Sequence, residues 1–272
     1  MGASEVMRLA ISGAAGRMGR TLVAACAGHP EFECAGALEQ PAHDALGSDA
    51  GTLAGSGANG VEVTDDPGRF LGAVDGVIDF SFPSGTVALA ERCRAAETQI
   101  VIGTTGFSPE ERARVEACAA DIPVLVAPNM SVGVNACFHL IEVASRILGG
   151  ETDIEIIEMH HRNKVDAPSG TAVRMGEIVA EALGRDLAKC AIYGREGHTG
   201  VRDRETIGFE TIRGGDAVGE HTVMFAGTGE RIEITHRAGS RLNFAHGALR
   251  ASRWLRERGS GLYDMQDVLG LR

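Results

Sequence analysis

Residues 158 to 172 read EMHHRNKVDAPSGTA and set His160, His161 and Lys164 just ahead of Pro168, Ser169, Gly170 and Thr171. Histidine is the side chain whose ordinary pKa best suits proton transfer near neutrality. A lysine ammonium holds anions. Pro168 imposes an extended predecessor, Ser169 is a good helix N-cap, and Gly170 and Thr171 supply N–H groups where a helix would begin. A helix N-terminus beside a lysine and two histidines is a carboxylate site, so the segment reads as a trap for a small anion with a proton donor at hand. On an extended chain His160 and His161 point to opposite faces: one meets a cleft from the strand, while the other reaches it from the loop or turns away. A solvated basic loop is the plain alternative.

A second stretch carries phosphate chemistry. Gly13, Gly16 and Gly19 form a Gly-x-x-Gly-x-x-Gly pattern, but glycine is 37 of 272 residues. About 0.7 such triplets would arise by chance in a chain of this composition, so spacing alone decides little. Context adds weight. The triplet follows a strand-like run and opens a helical one, where backbone N–H groups and the helix dipole receive a pyrophosphate. A further strand-like run, FECAGALE, ends in Glu39, placed to bind ribose hydroxyls. Gln40 follows where a cofactor carrying a 2'-phosphate calls for a basic residue, and Arg17 is a partial substitute. We therefore expect NADH to serve at least as well as NADPH. A ligand-free strand-to-helix turn, with Glu39 a solvated strand-end carboxylate, is the alternative. The loops GTTG (103 to 106) and APNMSVGVN (127 to 135) follow two more strand-like runs and are expected to line the nicotinamide side. A hydride donor, an imidazole and an ammonium together make a reductase.

Other chemistries find little footing. There is no His-Glu-x-x-His, and His198, His221 and His236 show no ligand spacing, so no metal is expected. Cys137 sits in an apolar helical run with no adjacent base and reads as a buried thiol rather than a nucleophile. Thirty-seven acidic against 26 basic residues give a formal net charge of -11, which opposes nucleic-acid binding. The six cysteines are scattered with no Cys-x-x-Cys pair, as expected in a reducing cytoplasm. The N-terminal MGASEVMRLAISG has no basic region ahead of its apolar run and carries Val6 where a myristoylation signal needs Ser or Thr. No apolar stretch approaches the roughly 20 residues of a membrane-spanning helix.

The elements that would position these residues alternate. VMRLAIS, GVIDFS (76 to 81), QIVIG (99 to 103) and IPVLVA (122 to 127) read as buried strands, with helical spacing after the Gly-rich loop, near 84 to 97 and near 109 to 120. Such alternation makes βαβ units and a parallel sheet. Near Thr152 the texture changes. DIEIIEMHH alternates, a helix is expected near 170 to 184, and TIGFETIR, GEHTVMFAG and ERIEITHR follow as β-like runs, a pattern for an antiparallel or mixed sheet with one exposed face. The last segment, RLNFAHGALRASRWLRER, returns to helical spacing. The pattern reads as an α/β fold of two domains, a parallel-sheet nucleotide domain and an α+β domain with a mixed sheet.

GAAGRMG, VIGTTGF, APNMSVGVN, TDIEIIEMHHRNKVDAPSGTA, REGHTG and VGEHTVMFAG, in that order, closely resemble the 4-hydroxy-tetrahydrodipicolinate reductases, long called dihydrodipicolinate reductases, of bacterial lysine (diaminopimelate) biosynthesis. The resemblance covers nearly the whole chain. It implies that the first is a Rossmann-type domain of residues 1 to 130 with 241 to 272, completed by the C-terminal helix. The second, residues 131 to 240, is on this resemblance a substrate and oligomerisation domain whose sheets assemble a homotetramer, and the cofactor is NADH or NADPH. It further implies His160 as proton donor, Lys164 as second donor and anion partner, and His161, Gly170 and Thr171, with the Ser169 turn, as contacts of a small dicarboxylate substrate. Arg241 is a further carboxylate contact on this reading, or else a surface charge at a helix start. Gly13, Ala14, Ala15, Gly16, Arg17, Met18, Glu39, Gly103, Thr104, Thr105, Ala127, Pro128, Asn129 and Met130 would hold the cofactor. The implied substrate is a cyclic imine dicarboxylate that loses water and takes hydride at ring carbon 4, leaving negative charge that an acid must quench. Gln40 and Met130 depart from the pattern, the latter standing where an aromatic often follows the asparagine. Two rivals remain in view: a two-domain dehydrogenase for another small substrate, and a nicotinamide-binding sensor with an idle site.

Overall fold

The computed structural model describes residues 6–271. The reading of the extreme N-terminus as free of signals falls partly on residues 1–5, outside the described residues. The chain divides into two compact units: one runs to Val132 and resumes at Arg241, and the other spans Gly133–Ser240.

The first unit is built on strands β1 (Met7–Ser12), β2 (Phe32–Leu38), β3 (Val63–Thr64), β4 (Gly76–Asp79), β5 (Gln99–Ile102) and β6 (Pro123–Val126). A late strand of this unit, Gly261–Tyr263, pairs parallel with β6, and the whole is a seven-stranded parallel sheet in the order 261–263, β6, β5, β4, β1, β2, β3. The order runs outward in both directions from β1, which puts a topological switch point between β1 and β4. Helix α1 (Arg17–Ala27) and the short α2 (Ala50–Ala54) follow β1 and β2, and α3 (Pro83–Ala95) and α4 (Pro109–Ala117) follow β4 and β5. Each of α3 and α4 starts on a proline, whose missing N–H costs nothing at that position, and Ser108 with Glu111 forms a capping box at α4. Alternate strand residues feed two cores. Leu9, Ile11, Ile78, Val101 and Leu125 pack with α1 and with a helix at Leu242–Leu255; Ala10, Val77, Ile100, Ile102 and Val124 pack with α3 and α4. The 242–255 helix thus completes the first unit, and its Trp254 meets Tyr263 edge-on while Arg258 lies 4.3 Å over the indole ring.

The second unit carries α5 (Val132–Leu148), β7 (Asp153–His160), α6 (Gly170–Leu183), α7 (Leu187–Cys190), β8 (Ala191–Tyr193), β9 (Ile207–Arg213), β10 (Gly219–Ala226) and β11 (Arg231–Ala238). Its sheet is mixed, in the order β11-β10-β7-β9-β8: β9 lies parallel to β7 and β8, while β10 is antiparallel to β7 and β11. Ile154 and Ile156 of β7, Phe209 of β9 and Val223 and Phe225 of β10 pack under α5 and α6, and Cys137 is a buried thiol of that core. Sequence periodicity had no purchase on β3, β8 and the strand 261–263, which are two or three residues long. We label the C-terminal elements α8 (Leu242–Leu255), β12 (Gly261–Tyr263) and α9 (Met265–Leu269). No helix among the described residues is long and apolar enough to cross a membrane.

Candidate active site

The Gly-rich loop joins β1 to α1. Gly13 has φ +72° and donates to the Leu38 carbonyl, and a Cβ on it would fall 2.4 Å from the Phe80 carbonyl oxygen. A Cβ on Gly19 would fall 2.1 Å from the Gly13 carbonyl oxygen, so both positions require glycine. Gly16, the N-cap of α1, makes no side-chain cap hydrogen bond, so the first-turn N–H groups have no side-chain cap from it. The Glu39 carboxylate, half-buried at the end of β2, accepts from the backbone N–H groups of Ala15 (3.1 Å) and Gln40 (3.0 Å). It therefore braces the loop while keeping lone pairs for other donors. Beside it lies a cavity of about 510 Å³ lined in part by Ser12, Gly13, Leu38, Glu39, Ser81 and the cationic Arg92. A helix N-terminus without a side-chain cap, suited to phosphates, and an acid-edged cavity suited to a ribose fit a dinucleotide.

The other expected cofactor residues differ in what they offer. Gly103 leaves room for the Phe80 ring, which a Cβ would approach to 2.3 Å. The Thr104 hydroxyl is committed: it donates to the buried Asp79 (2.7 Å) and accepts from the Ser81 N–H (3.0 Å). Thr105 is exposed. Ala127 is buried, Pro128 exposed, and Asn129 accepts from the Ser131 N–H at 2.9 Å. Met130 is 1% exposed and packs in the core, so its side chain faces packing neighbours rather than a ligand. Asp79, which also accepts from Ser81 Oγ and Thr86 Oγ1, went unseen in the sequence, although an acid closing an otherwise apolar strand is a signal.

In the second unit the histidine block ends β7. Ile154, Ile156, Glu158 and His160 alternate on its inward face, so the core changes from apolar to polar over the last turn of the pleat. Across the ladder His221 stands opposite Glu158 on β10, Thr211 opposite Glu158 on β9, and Arg213 opposite His160. Glu158 is 1% exposed, and five donors converge on its carboxylate: His160 Nδ1 at 2.6 Å, both terminal nitrogens of Arg213 at 2.8 Å, the Ser169 N–H at 3.0 Å and Thr211 Oγ1 at 3.3 Å. Burial opposes ionisation of Glu158, but Arg213, His160 and the Ser169 N–H outweigh it and hold the carboxyl below the usual range. Burial also pushes the His160 pKa down; Glu158 works against that, while Lys164 and Arg213 add to it.

Ser169 caps α6, its Oγ accepting from the Ala172 N–H and lying 2.9 Å from His221 Nε2. His221 meets the His160 ring edge-on at 5.1 Å, and burial, with His160 second, pushes its pKa to about 3, so this imidazole is neutral at physiological pH. Lys164 binds both oxygens of Asp166 at 2.8 Å. In this structure the ammonium is thus paired within its own loop. His161 is half-buried just past the strand, and Gly170 is exposed as the first residue of α6. The structure thus brings His160, Lys164, Ser169, Gly170 and Thr171 to one end of the second unit, with His161. Arg241 belongs to the first unit, where it precedes α8. Glu158 and Arg213 have no role in the sequence reading, and His221 enters it only as a histidine without metal-ligand spacing; the period-two alternation of β7, which puts an acid two residues before His160 on the same face, is the available signal for Glu158. No cluster of three metal-ligating side chains exists among the described residues.

The family models agree with this organisation. Residues 7–130 match the dihydrodipicolinate reductase N-terminal model, and residues 133–269 match the C-terminal model of the same family. The chain belongs to the dihydrodipicolinate reductase family. It is 57% identical over 267 residues to a 4-hydroxy-tetrahydrodipicolinate reductase of Methylococcus capsulatus, covering 98% of this chain and 99% of the relative. It is 59% identical over 266 residues to one of Aromatoleum aromaticum, covering 98% and 96%. A solved dipicolinate-bound dihydrodipicolinate reductase of Paenisporosarcina sp. TG-14 superposes with TM-score 0.76 at 23% identity, covering 96% of this chain and 98% of that one, and so shares the fold. A myo-inositol dehydrogenase of Corynebacterium glutamicum shares it more loosely, at TM-score 0.58 and 18% identity over 94% of this chain and 90% of its own. As a member of a reductase family with a Rossmann-type nucleotide domain, this chain is an oxidoreductase that uses a nicotinamide cofactor, and the sensor reading falls away.

Proposed function

We propose that this chain reduces 4-hydroxy-tetrahydrodipicolinate, by way of its dehydrated cyclic imine, to tetrahydrodipicolinate on the route to diaminopimelate and lysine. The observation that carries the proposal is the His160–Lys164–Ser169 end of β7 and α6, a proton donor beside an anion site, in a chain of this reductase family. The first unit binds the cofactor through the start of α1 and Glu39, with the backbone of residues 103–105 and 127–130 around it. When bound, the nicotinamide supplies the hydride. Lys164, His161 and the N-terminus of α6 with Gly170 and Thr171 hold the substrate carboxylates, and Arg241 is a further partner for them. The imidazolium of His160 delivers the proton that quenches the charge spread over the reduced ring, and Lys164 is the second donor.

Glu39 with exposed Gln40 favours a free ribose over a phosphorylated one, so NADH serves at least as well as NADPH. The face of the second sheet away from its helices presents Ile157, Met159 and Met224, with Ile212 47% exposed, and is the surface on which copies assemble as a homotetramer. The cysteines are all free among the described residues, in keeping with a cytoplasmic enzyme.

The test is to follow cofactor oxidation at 340 nm separately with NADH and NADPH while a synthase makes the substrate from pyruvate and aspartate semialdehyde. Oxidation that requires the synthase, runs with NADH at least as well as with NADPH, and drops by roughly a hundredfold or more in His160→Gln is expected. Cofactor binding without turnover of this substrate, or near-wild-type turnover in both His160→Gln and Lys164→Ala, would refute the assignment.

A further inference from the structure

The mechanism above gives no task to Glu158, although five donors converge on its buried carboxylate. We propose that Glu158 is a positioning residue: its carboxylate holds His160 through Nδ1, making Nε2 the nitrogen that exchanges the proton, and ties that imidazole to the turn that opens α6. The proposal rests on the reading of His160 as proton donor.

The geometry argues it in three steps. First, a carboxylate receiving a two-pronged Arg213 fork, an N–H and a hydroxyl is ionised, and an ionised carboxylate only accepts. The 2.6 Å contact to His160 Nδ1 therefore has the hydrogen on Nδ1 in both charge states of the ring. Second, that leaves Nε2 as the titrating nitrogen, and the fold keeps it uncrowded: Gly219 on β10 faces it, and a Cβ there would fall 2.9 Å from Nε2. When the imidazolium gives up its Nε2 proton, it ends as the neutral ring still bonded through Nδ1–H. Third, the same carboxylate holds the Ser169 N–H, and Arg213 binds the Asp166 carbonyl at 2.7 Å, so one residue sets both the donor ring and the anion-binding turn.

The groups around His160 define what removal of the charge would do. Arg213 and Thr211 come from β9, His221 from β10 with His236 beyond it on β11, Lys164 with its partner Asp166 from the following loop, and Ser169 from the start of α6. Of these only the Glu158 carboxylate touches the ring with negative charge; Arg213 and Lys164 are cations, and His221 is neutral. Without Glu158, burial and the two cations act on His160 unopposed, and its pKa falls.

The experiment pairs two readouts. In the wild-type protein, ¹⁵N-histidine NMR across pH should show Nδ1 of His160 protonated throughout and Nε2 titrating; a neutral ring protonated at Nε2 instead would overturn the proposal, whatever any variant does. In Glu158→Gln, kcat should fall roughly ten- to a hundredfold, KM should change less, and the alkaline limb of the kcat profile should move about one pH unit or more toward acid. Glu158→Asp, which keeps the charge, should restore the limb toward its wild-type position. A fallen kcat with an unmoved limb would reduce Glu158 to a structural residue and sink the idea. Failure of the underlying reading has a different signature, since His160→Gln would then keep its turnover.

Discussion

The two ends of the proposed chemistry are built in opposite ways. The Gly-rich loop of the first unit is a backbone device: Gly13 and Gly19 let main chain pass against main chain, and the first turn of α1 offers its own N–H groups. The histidine end of the second unit is a side-chain device, in which Glu158 gathers donors from β7, β9 and the turn before α6. A backbone device is contiguous in sequence and fails through steric intrusion. A side-chain device is scattered, as with Glu158 and Arg213 at 55 residues' separation, and fails through an uncompensated charge.

This contrast sets the order of expected effects. The largest follows loss of the Glu158 partner: Arg213→Met should cost about 3–5 kcal/mol of unfolding free energy in urea titration, because a buried carboxylate loses its bidentate cation. A loss below about 1 kcal/mol would mean that His160, Thr211 and the Ser169 N–H suffice, and would weaken the contrast. Next, Gly19→Ala should cost about 1–3 kcal/mol and weaken NADH binding in a fluorescence titration, since its Cβ would drive into backbone. Gly16→Ala, whose Cβ would sit 3.1 Å from the Gly13 carbonyl oxygen, should cost less stability than Gly19→Ala; the reverse order would contradict the backbone account.

The smallest effect per step is a pH dependence. The His221 pKa falls from 6.5 to about 3 on folding, so the unfolded chain takes up a proton below pH 6.5 that the folded chain refuses until near pH 3. Its contribution to stability is complete above pH 6.5 and is lost on acidification at up to about 1.4 kcal/mol per pH unit. Glu158, with its folded pKa depressed below 4.5, adds a second loss as pH falls under that value. Unfolding midpoints measured from pH 7.5 to 4.5 should therefore decline, and more shallowly in His221→Asn; equal slopes in the two proteins would refute the buried neutral imidazole.

Much of this was legible beforehand, for identifiable reasons. The strand-loop-helix start, Glu39 at the end of β2 and the switch to alternating runs near residue 152 are patterns of period and punctuation carried by neighbouring residues. Helical spacing marks α8 as a helix, while its return to the first unit is implied by the family resemblance and not by periodicity. Asp79 was not, because its three hydroxyl donors lie on the β4–α3 loop, α3 and the loop after β5. Thr104 was read as a cofactor contact by motif position, and only the fold reveals that its hydroxyl already belongs to Asp79.

Sequence by itself determined which chemistry was present: glycines where only glycine fits, an acid after the second strand, and imidazole, ammonium and a capped helix start in one stretch. Those features are local, and local geometry follows from residue type and spacing. Tertiary structure alone decided which atoms of those residues have hydrogen-bond partners. That His160 presents Nε2, that His221 is neutral and that Glu158 is ionised depend on burial and on partners brought across a sheet from 50 or so residues away, as with Ser169 and His221 at a separation of 52. Desolvation and pairing are properties of a place in space, which the order of residues encodes only through the fold.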